Sequence, residues 1–60
     1  MKMWIARDLR FNELYLYKEK PVLDGDIWFS EDYTYAIDDL LFPEVTFENS
    51  PMEVELVIKK

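Results

Sequence analysis

Hydrophobic alternation with a period of two, sustained on both arms of residues 3–17, constrains this chain more than any other feature. Met3 and Ile5 alternate with Lys2, Trp4 and Ala6, and Leu14 and Leu16 alternate with Glu13, Tyr15 and Tyr17. A helix would spread these side chains around its circumference, whereas a strand sends them to two opposite faces. The pattern predicts a β-hairpin with an aliphatic face (Met3, Ile5, Leu14, Leu16) and an aromatic face (Trp4, Tyr15, Tyr17). The aliphatic face is the candidate core. The aromatic face is surplus to a single sheet and marks the surface to be covered or visited.

Length decides how that surplus is read. A chain of 60 residues makes one domain, residues 1–60. A domain this small buries only about 60% of the surface its unfolded form exposes, so its stability is narrow. With no Cys and no His, disulfides and the usual zinc ligand sets are excluded, which leaves a partner subunit as the expected support. Half the residues are apolar and 17% are aromatic, too many for a disordered acidic tail despite a net charge of −6. The apolar run at the start is broken after Ala6, too short for a signal peptide or a membrane span, and a cytoplasmic protein is the expectation.

Charge is unevenly distributed. Lys2, Arg7, Arg10, Lys18 and Lys20 outnumber Asp8, Glu13 and Glu19 in the first third, whereas residues 21–58 hold ten acids and no base before Lys59 and Lys60. Two electrostatic sides are expected.

In Asp8-Leu9-Arg10-Phe11-Asn12 the chain reverses, with Asn12 suited to a left-handed conformation and Asp8 to bonding the turn backbone. Leu9 and Phe11 are expected to fold back over an open end of the core, with a partner contact as the alternative. Pro21 ends pairing after Lys18-Glu19-Lys20, and Asp24-Gly25-Asp26 turns into a strand at Ile27-Trp28-Phe29 on the only glycine. Ser30 starts either a helix with Tyr33, Ile37, Leu40 and Leu41 on one face or a turn into a strand. The alternation and β-branching of Tyr33-Thr34-Tyr35-Ala36-Ile37 favour the strand. Asp38-Asp39-Leu40-Leu41-Phe42-Pro43 reads as one short helical turn capped by Asp38 or Asp39. Glu44-Val45-Thr46-Phe47-Glu48 reads as a further strand, Asn49-Ser50-Pro51 as a turn, and Val54, Leu56 and Ile58 as the inward face of a final strand.

The expected architecture is mainly all-β: a small antiparallel, twisted sheet or partly closed barrel of five to six strands with one short helical turn. Its expected core is Met3, Ile5, Leu14, Leu16, Phe29, Ile37, Leu41, Phe42, Val45, Phe47, Val54, Leu56 and Ile58.

Several stretches together resemble small uncharacterised proteins of bacteriophages and gut-bacterial mobile elements. They are Trp4-Ile5-Ala6-Arg7-Asp8, Leu14-Tyr15-Leu16-Tyr17 with Lys20-Pro21, Trp28, Leu41-Phe42-Pro43-Glu44-Val45-Thr46-Phe47 and Val54-Glu55-Leu56, and they span nearly the whole chain. That family has no settled activity, so the resemblance implies a phage-type origin and carries over no site residue. Its members tend to have a short glycine-containing turn between the first two strands, and Leu9-Arg10-Phe11-Asn12 has none.

Without His or Cys, nucleophilic catalysis falls to Ser, Thr or Lys with a carboxylate or lysine as base, and no enzyme is expected. The acid pairs (Asp24 with Asp26, Glu31 with Asp32, Asp38 with Asp39) lack the walls that raise a catalytic carboxyl, and Asp24-Gly25-Asp26 does not follow the calcium-loop order. No metal or cofactor is expected. Trp4, Tyr15, Tyr17 and Trp28 form either a second core layer or dimer seam, or a stacking platform. In the second case Arg7, Arg10, Lys18 and Lys20 would hold phosphate. The reading that follows is a non-catalytic, phage-type counter-defence protein that sequesters a small anionic nucleotide at the seam of a homodimer. The alternatives are an acidic module or inhibitor that occupies a basic host protein as nucleic-acid mimics do, or a structural accessory domain. Neither membrane nor duplex nucleic acid is an expected partner.

Overall fold

The computed structural model describes residues 1–32 and 34–59, and within them the chain is all-β. Strands β1 (Lys2–Arg7), β2 (Leu14–Tyr17), β5 (Thr34–Ile37) and β6 (Met52–Glu55) form an antiparallel sheet in the order β5-β2-β1-β6. Strands β3 (Val22–Asp24) and β4 (Ile27–Phe29) form a separate hairpin. Since β5 and β6 are opposite edges, the sheet is open and not closed into a barrel.

Register assigns the faces. Trp4 pairs with Tyr17, Ile5 with Leu16, Ala6 with Tyr15 and Arg7 with Leu14, so the two arms put like residues on the same side. Ile5 also pairs with Met52 and Met3 with Val54, while Leu14 faces Ile37 and Leu16 faces Tyr35. One face of the sheet is therefore aliphatic across all four strands. The other carries Trp4, Ala6, Tyr15 and Tyr17.

The 8–13 connection closes with Asp8 N donating to Glu13 O at 2.8 Å, and Asn12 takes the left-handed conformation at φ 57°. Leu9 and Phe11 do not fold back over the core: both are exposed. Leu9 N instead donates to Asp26 O at 2.9 Å, which holds the tip against the second hairpin and turns its side chain outward. In that hairpin Gly25 supplies the positive φ, at 64°.

The β3–β4 hairpin lies on the aromatic face and is fastened there by the backbone of one residue. Trp28 N donates to Asp8 Oδ1 at 2.9 Å, and Tyr17 Oη donates to Trp28 O at 3.2 Å. Both main-chain groups of Trp28 are thus satisfied by side chains at the ends of β1 and β2. Beneath it Ala6 and Tyr17 are buried, at 0% and 2% exposure.

The expected helical turn at Asp38 is a hydrogen-bonded β-turn, in which Leu41 N donates to Asp38 O and Leu40 N to Asp38 Oδ1. Asp38 caps it as its type predicts, but Phe42 follows at φ 51°, a left-handed step that ends any helical path. The expected strand Glu44-Val45-Thr46-Phe47-Glu48 is also absent, since its backbone is satisfied locally. Val45 N bonds Phe42 O, Thr46 and Asn49 exchange side-chain-to-backbone bonds, and Asn49 Nδ2 donates to Glu44 O. Val45 still enters the core, packing with Ile5 and Leu14.

The last strand is shorter than the alternation predicts. It pairs only as far as Lys2 with Glu55, and a reciprocal pair of bonds between Met1 and Leu56 closes it. Leu56 is therefore half exposed and Ile58 is 84% exposed, and neither belongs to the core. Phe29, Leu41 and Phe42 are also substantially exposed, the first on the outer hairpin and the others on the 38–51 segment. The strand alternative for Thr34–Ile37 holds, and Tyr33 lies outside the described residues.

Candidate functional site

The eight residues expected to bind a ligand separate into four places. Arg7 is 5% exposed and projects from the aliphatic side of β1. Its Nε donates to Val45 O at 2.6 Å, Nη1 to Asn12 O and Asp39 O at 2.9 and 3.0 Å, and Nη2 to Leu41 O and Phe42 O at 3.1 and 3.2 Å. A guanidinium has five N–H donors and here five main-chain carbonyls take them. Arg7 therefore holds the 38–51 segment against the sheet, and its assignment as a phosphate ligand is corrected on that ground.

Lys20 stands over the Trp4 ring, 5.3 Å from its centroid, and pairs with that indole at one end of the aromatic face. Lys18 is exposed and lines a recess on the aliphatic side. Arg10 is exposed beside Asp26 and Phe11. The basic residues do not converge.

Tyr15, Tyr17 and Trp28 do come together, with Arg10, Phe11, Ser30 and Thr34, around an open cleft of about 460 Å³ between the aromatic face and the hairpin. Trp28 packs against Phe47 with ring centroids 6.1 Å apart, and its Nε1 is buried with no acceptor among the described residues. The charge in this cleft is unsuited to an anion. Burial raises the Asp8 carboxyl above its ordinary value, opposed by the bond from Trp28 N and reinforced by the charge of Glu13. Burial also raises the Tyr15 phenol, as do its bond to Glu13 and the charges of Glu13, Asp8 and Asp39. Tyr17 is raised further, first by burial and then by Asp8 and Tyr15. Carboxylates that hold phenols neutral also repel phosphate.

The aliphatic face is covered in part: Met3, Ile5, Leu14 and Val45 are buried, while Leu16, Ile37, Met52 and Val54 are half-buried. Met3, Ile5, Leu16, Ile37, Met52 and Val54 floor a groove of about 540 Å³, completed by Phe42, Val45 and Leu56 and bordered by Glu44 and Glu55. A recess of about 460 Å³ shares Met3, Leu16 and Leu56 with it and extends the apolar surface to Tyr35 and Lys18.

Comparison of the chain with protein-family models, curated proteins and solved structures gives no match. The groove therefore has to be read from its own chemistry.

Among the described residues no three Asp or Glu side chains are placed to hold a metal ion, and no helix is long and apolar enough to cross a membrane. The groove carries methyl, thioether and ring surface with the Glu44 carboxylate at its border, which suits contact with apolar side chains of a cationic partner, whereas register turns Glu55 to the opposite face, where its carboxylate is 3.8 Å from the N-terminal ammonium. Sequence reasoning assigned Met3, Ile5, Leu16, Ile37, Phe42, Val45, Val54 and Leu56 to the core, which holds for the buried Met3, Ile5 and Val45, but it did not name Met52 or foresee a groove. The available signal was the cover: residues 38–51, which Arg7 holds to the aliphatic side, contain four acids and little strand structure.

Proposed function

We propose that this chain is a non-catalytic protein-binding module which presents its aliphatic groove to a basic partner. The observation that carries the reading is an apolar groove with the exposed acid Glu44 at its border, on a chain of net charge −6. Apolar side chains of the partner would fill the groove. Its lysines or arginines would meet this negative charge, which speeds encounter and weakens the complex as salt rises. A second copy of the chain is the competing occupant, and a homodimer would set two chains of net charge −6 against each other. That repulsion favours a partner of opposite charge. With the phage-type origin that the sequence resemblance implies, the module would act stoichiometrically on a host protein in the cytoplasm, as a counter-defence inhibitor.

Nucleotide sequestration is supported by the cleft that gathers Arg10, Tyr15, Trp28 and Thr34, where a base could stack. It draws on one base of the four expected, beside two carboxylates.

The test compares capture of basic host proteins by the intact chain, by Phe42→Gly with Leu56→Ser in the groove, and by Tyr15→Ser in the cleft, at low and high salt. The proposal expects capture at low salt that is lost in the groove variant and retained in the cleft variant. Capture that survives the groove substitutions, or a sedimentation profile in which the groove holds a second copy, would overturn it. A melting temperature raised by a nucleotide and abolished by Tyr15→Ser would favour the nucleotide reading.

A further inference from the structure

The cleft on the aromatic face brings rings and acids together. Tyr15 and Tyr17 stand two residues apart on β2, on one face of the sheet, with ring centroids 6.4 Å apart. Trp28 and Phe29 line the cleft from β4 of the covering hairpin, and Phe11 lines it from the 8–13 connection. Asp8 and Tyr17 are buried, Glu13, Tyr15 and Trp28 are half-buried, and Phe11 and Phe29 are exposed. The cleft therefore runs from an exposed aromatic rim to a buried carboxyl and phenol.

Ring faces and acids act in the same direction on a charge. An aromatic face carries partial negative charge and attracts a cation within about 6 Å of its centroid. Cations of the chain itself already do this on the aromatic side. Lys20 Nζ lies 5.3 Å from the Trp4 centroid, and Arg10 Cζ lies 6.0 Å from that of Phe11, at the rim of the cleft. Among the described lining residues the acids Asp8 and Glu13 outnumber the base Arg10. Burial disfavours the ionised Asp8 carboxyl, and a cation beside it would offset that cost. The two acids that oppose a phosphate thus favour an ammonium.

The hydrogen bonds narrow the kind of ammonium. Asp8 Oδ1 accepts from Trp28 N, and Glu13 is bonded to the Tyr15 phenol, so both acids are engaged in holding the cleft and act on a ligand through their charge. A primary ammonium brings three N–H donors that each require an acceptor. A trimethylammonium brings the same charge inside an apolar surface that ring faces can meet.

We infer that the cleft between the aromatic face and the β3–β4 hairpin binds a small quaternary ammonium ion, with its methyl groups against the rings of Tyr15 and Trp28 and its charge beside Glu13 and Asp8. The site lies on the opposite side of the sheet from the aliphatic groove and does not depend on what the groove binds. Arg10 is an internal competitor there, since its guanidinium rests on Phe11 and places like charge at the rim.

The probe is choline chloride, titrated into the intact chain against sodium chloride of equal ionic strength and followed by backbone amide chemical shifts. Shifts are expected at Tyr15 and Trp28, with none at Met52 or Val54 in the groove. The neutral carbon isostere of choline should bind about tenfold more weakly, and phosphocholine, which adds an anion, should also bind more weakly than choline. Glu13→Gln keeps an oxygen for the Tyr15 phenol and should weaken choline binding about threefold, while Arg10→Ala, at an exposed position, should strengthen it about twofold. A site built for a nucleotide phosphate would answer both substitutions with the opposite sign. The absence of choline-dependent shifts, shifts confined to the groove, equal binding of the neutral isostere, tighter binding of phosphocholine, or weakening by Arg10→Ala would overturn the assignment.

Discussion

The Nε of Arg7 donates to the carbonyl oxygen of Val45 across 2.6 Å, joining the middle strand of the sheet to a segment 38 residues later in the chain. Four more carbonyls converge on the same guanidinium, those of Asp39, Leu41 and Phe42 in that segment and of Asn12 in the 8–13 connection, so one side chain satisfies the carbonyls that the segment's local bonds leave over. That relationship explains how Val45 is held in the core while Leu41 and Phe42 beside it stay exposed.

Replacing Arg7 is therefore a test of the scaffold. Arg7→Met leaves the buried Val45 carbonyl and four partly buried ones without this donor and should cost about 3 kcal/mol, a large share of the stability of so small a domain. Arg7→Lys keeps the charge but loses the planar five-donor fork and should not restore it. Urea unfolding reads both. An Arg7→Lys midpoint equal to that of the intact chain would contradict this role.

Asp8 gives a pH signature. Burial raises its folded-state pKa above 3.8, so the folded chain holds this proton to higher pH than the unfolded chain does. The stability it contributes is complete below 3.8 and is lost as pH rises through the folded value. Asp8→Asn keeps an acceptor for Trp28 N and removes the titration. Its stability relative to the intact chain should improve between about pH 3 and about pH 7 in denaturant titrations, and a constant difference would count against the account.

Tyr17 should act at the alkaline end. Its phenol is raised above the ordinary value of 10.0, so its contribution is intact at neutral pH and is lost as pH climbs through the folded value. Phenolate absorbance should show Tyr17 ionising together with unfolding. Tyr17→Phe leaves the Trp28 carbonyl without its donor, should cost about 1 kcal/mol at neutral pH, and should remove that alkaline step.

The sequence was most legible where a period repeats against a partner. The alternation of Met3, Ile5, Leu14 and Leu16 correctly predicts the central hairpin and its faces, and the β-branching of Thr34–Ile37 correctly favours a strand. Alternation misleads where no neighbouring strand exists: Val45 and Phe47 alternate like strand residues, yet Thr46 and Asn49 close the backbone on itself, and Ile58 alternates past the end of β1. The site was least legible because a pattern separates two faces without stating which is covered. The β3–β4 hairpin settles over Ala6 and Tyr17, so part of the face read as surplus is internal while Trp4 and Tyr15 stay half-buried, and part of the face read as core is only half-covered.

Phe42 separates stability from binding. Its φ of 51° costs a side-chain-bearing residue about 1 kcal/mol, and its ring is half exposed at the groove. Phe42→Gly relieves the backbone, keeps the carbonyl that Arg7 bonds, and loses the ring. Stability should stay within about 1 kcal/mol of the intact chain in urea, while capture of a basic partner should fall about tenfold. A variant that unfolds, or that captures normally, would contradict the assignment.

The most direct measurement is site-resolved photo-crosslinking in host cells, with a crosslinking phenylalanine analogue placed at Phe42 in the groove or at Tyr15 in the aromatic cleft. The account predicts adducts with a basic host protein from the Phe42 position, diminished by salt when the reaction is repeated in lysate, and none with that protein from the Tyr15 position. Adducts from Tyr15 alone, or from Phe42 only to a second copy of the chain, would contradict the claim that the aliphatic groove is the binding face.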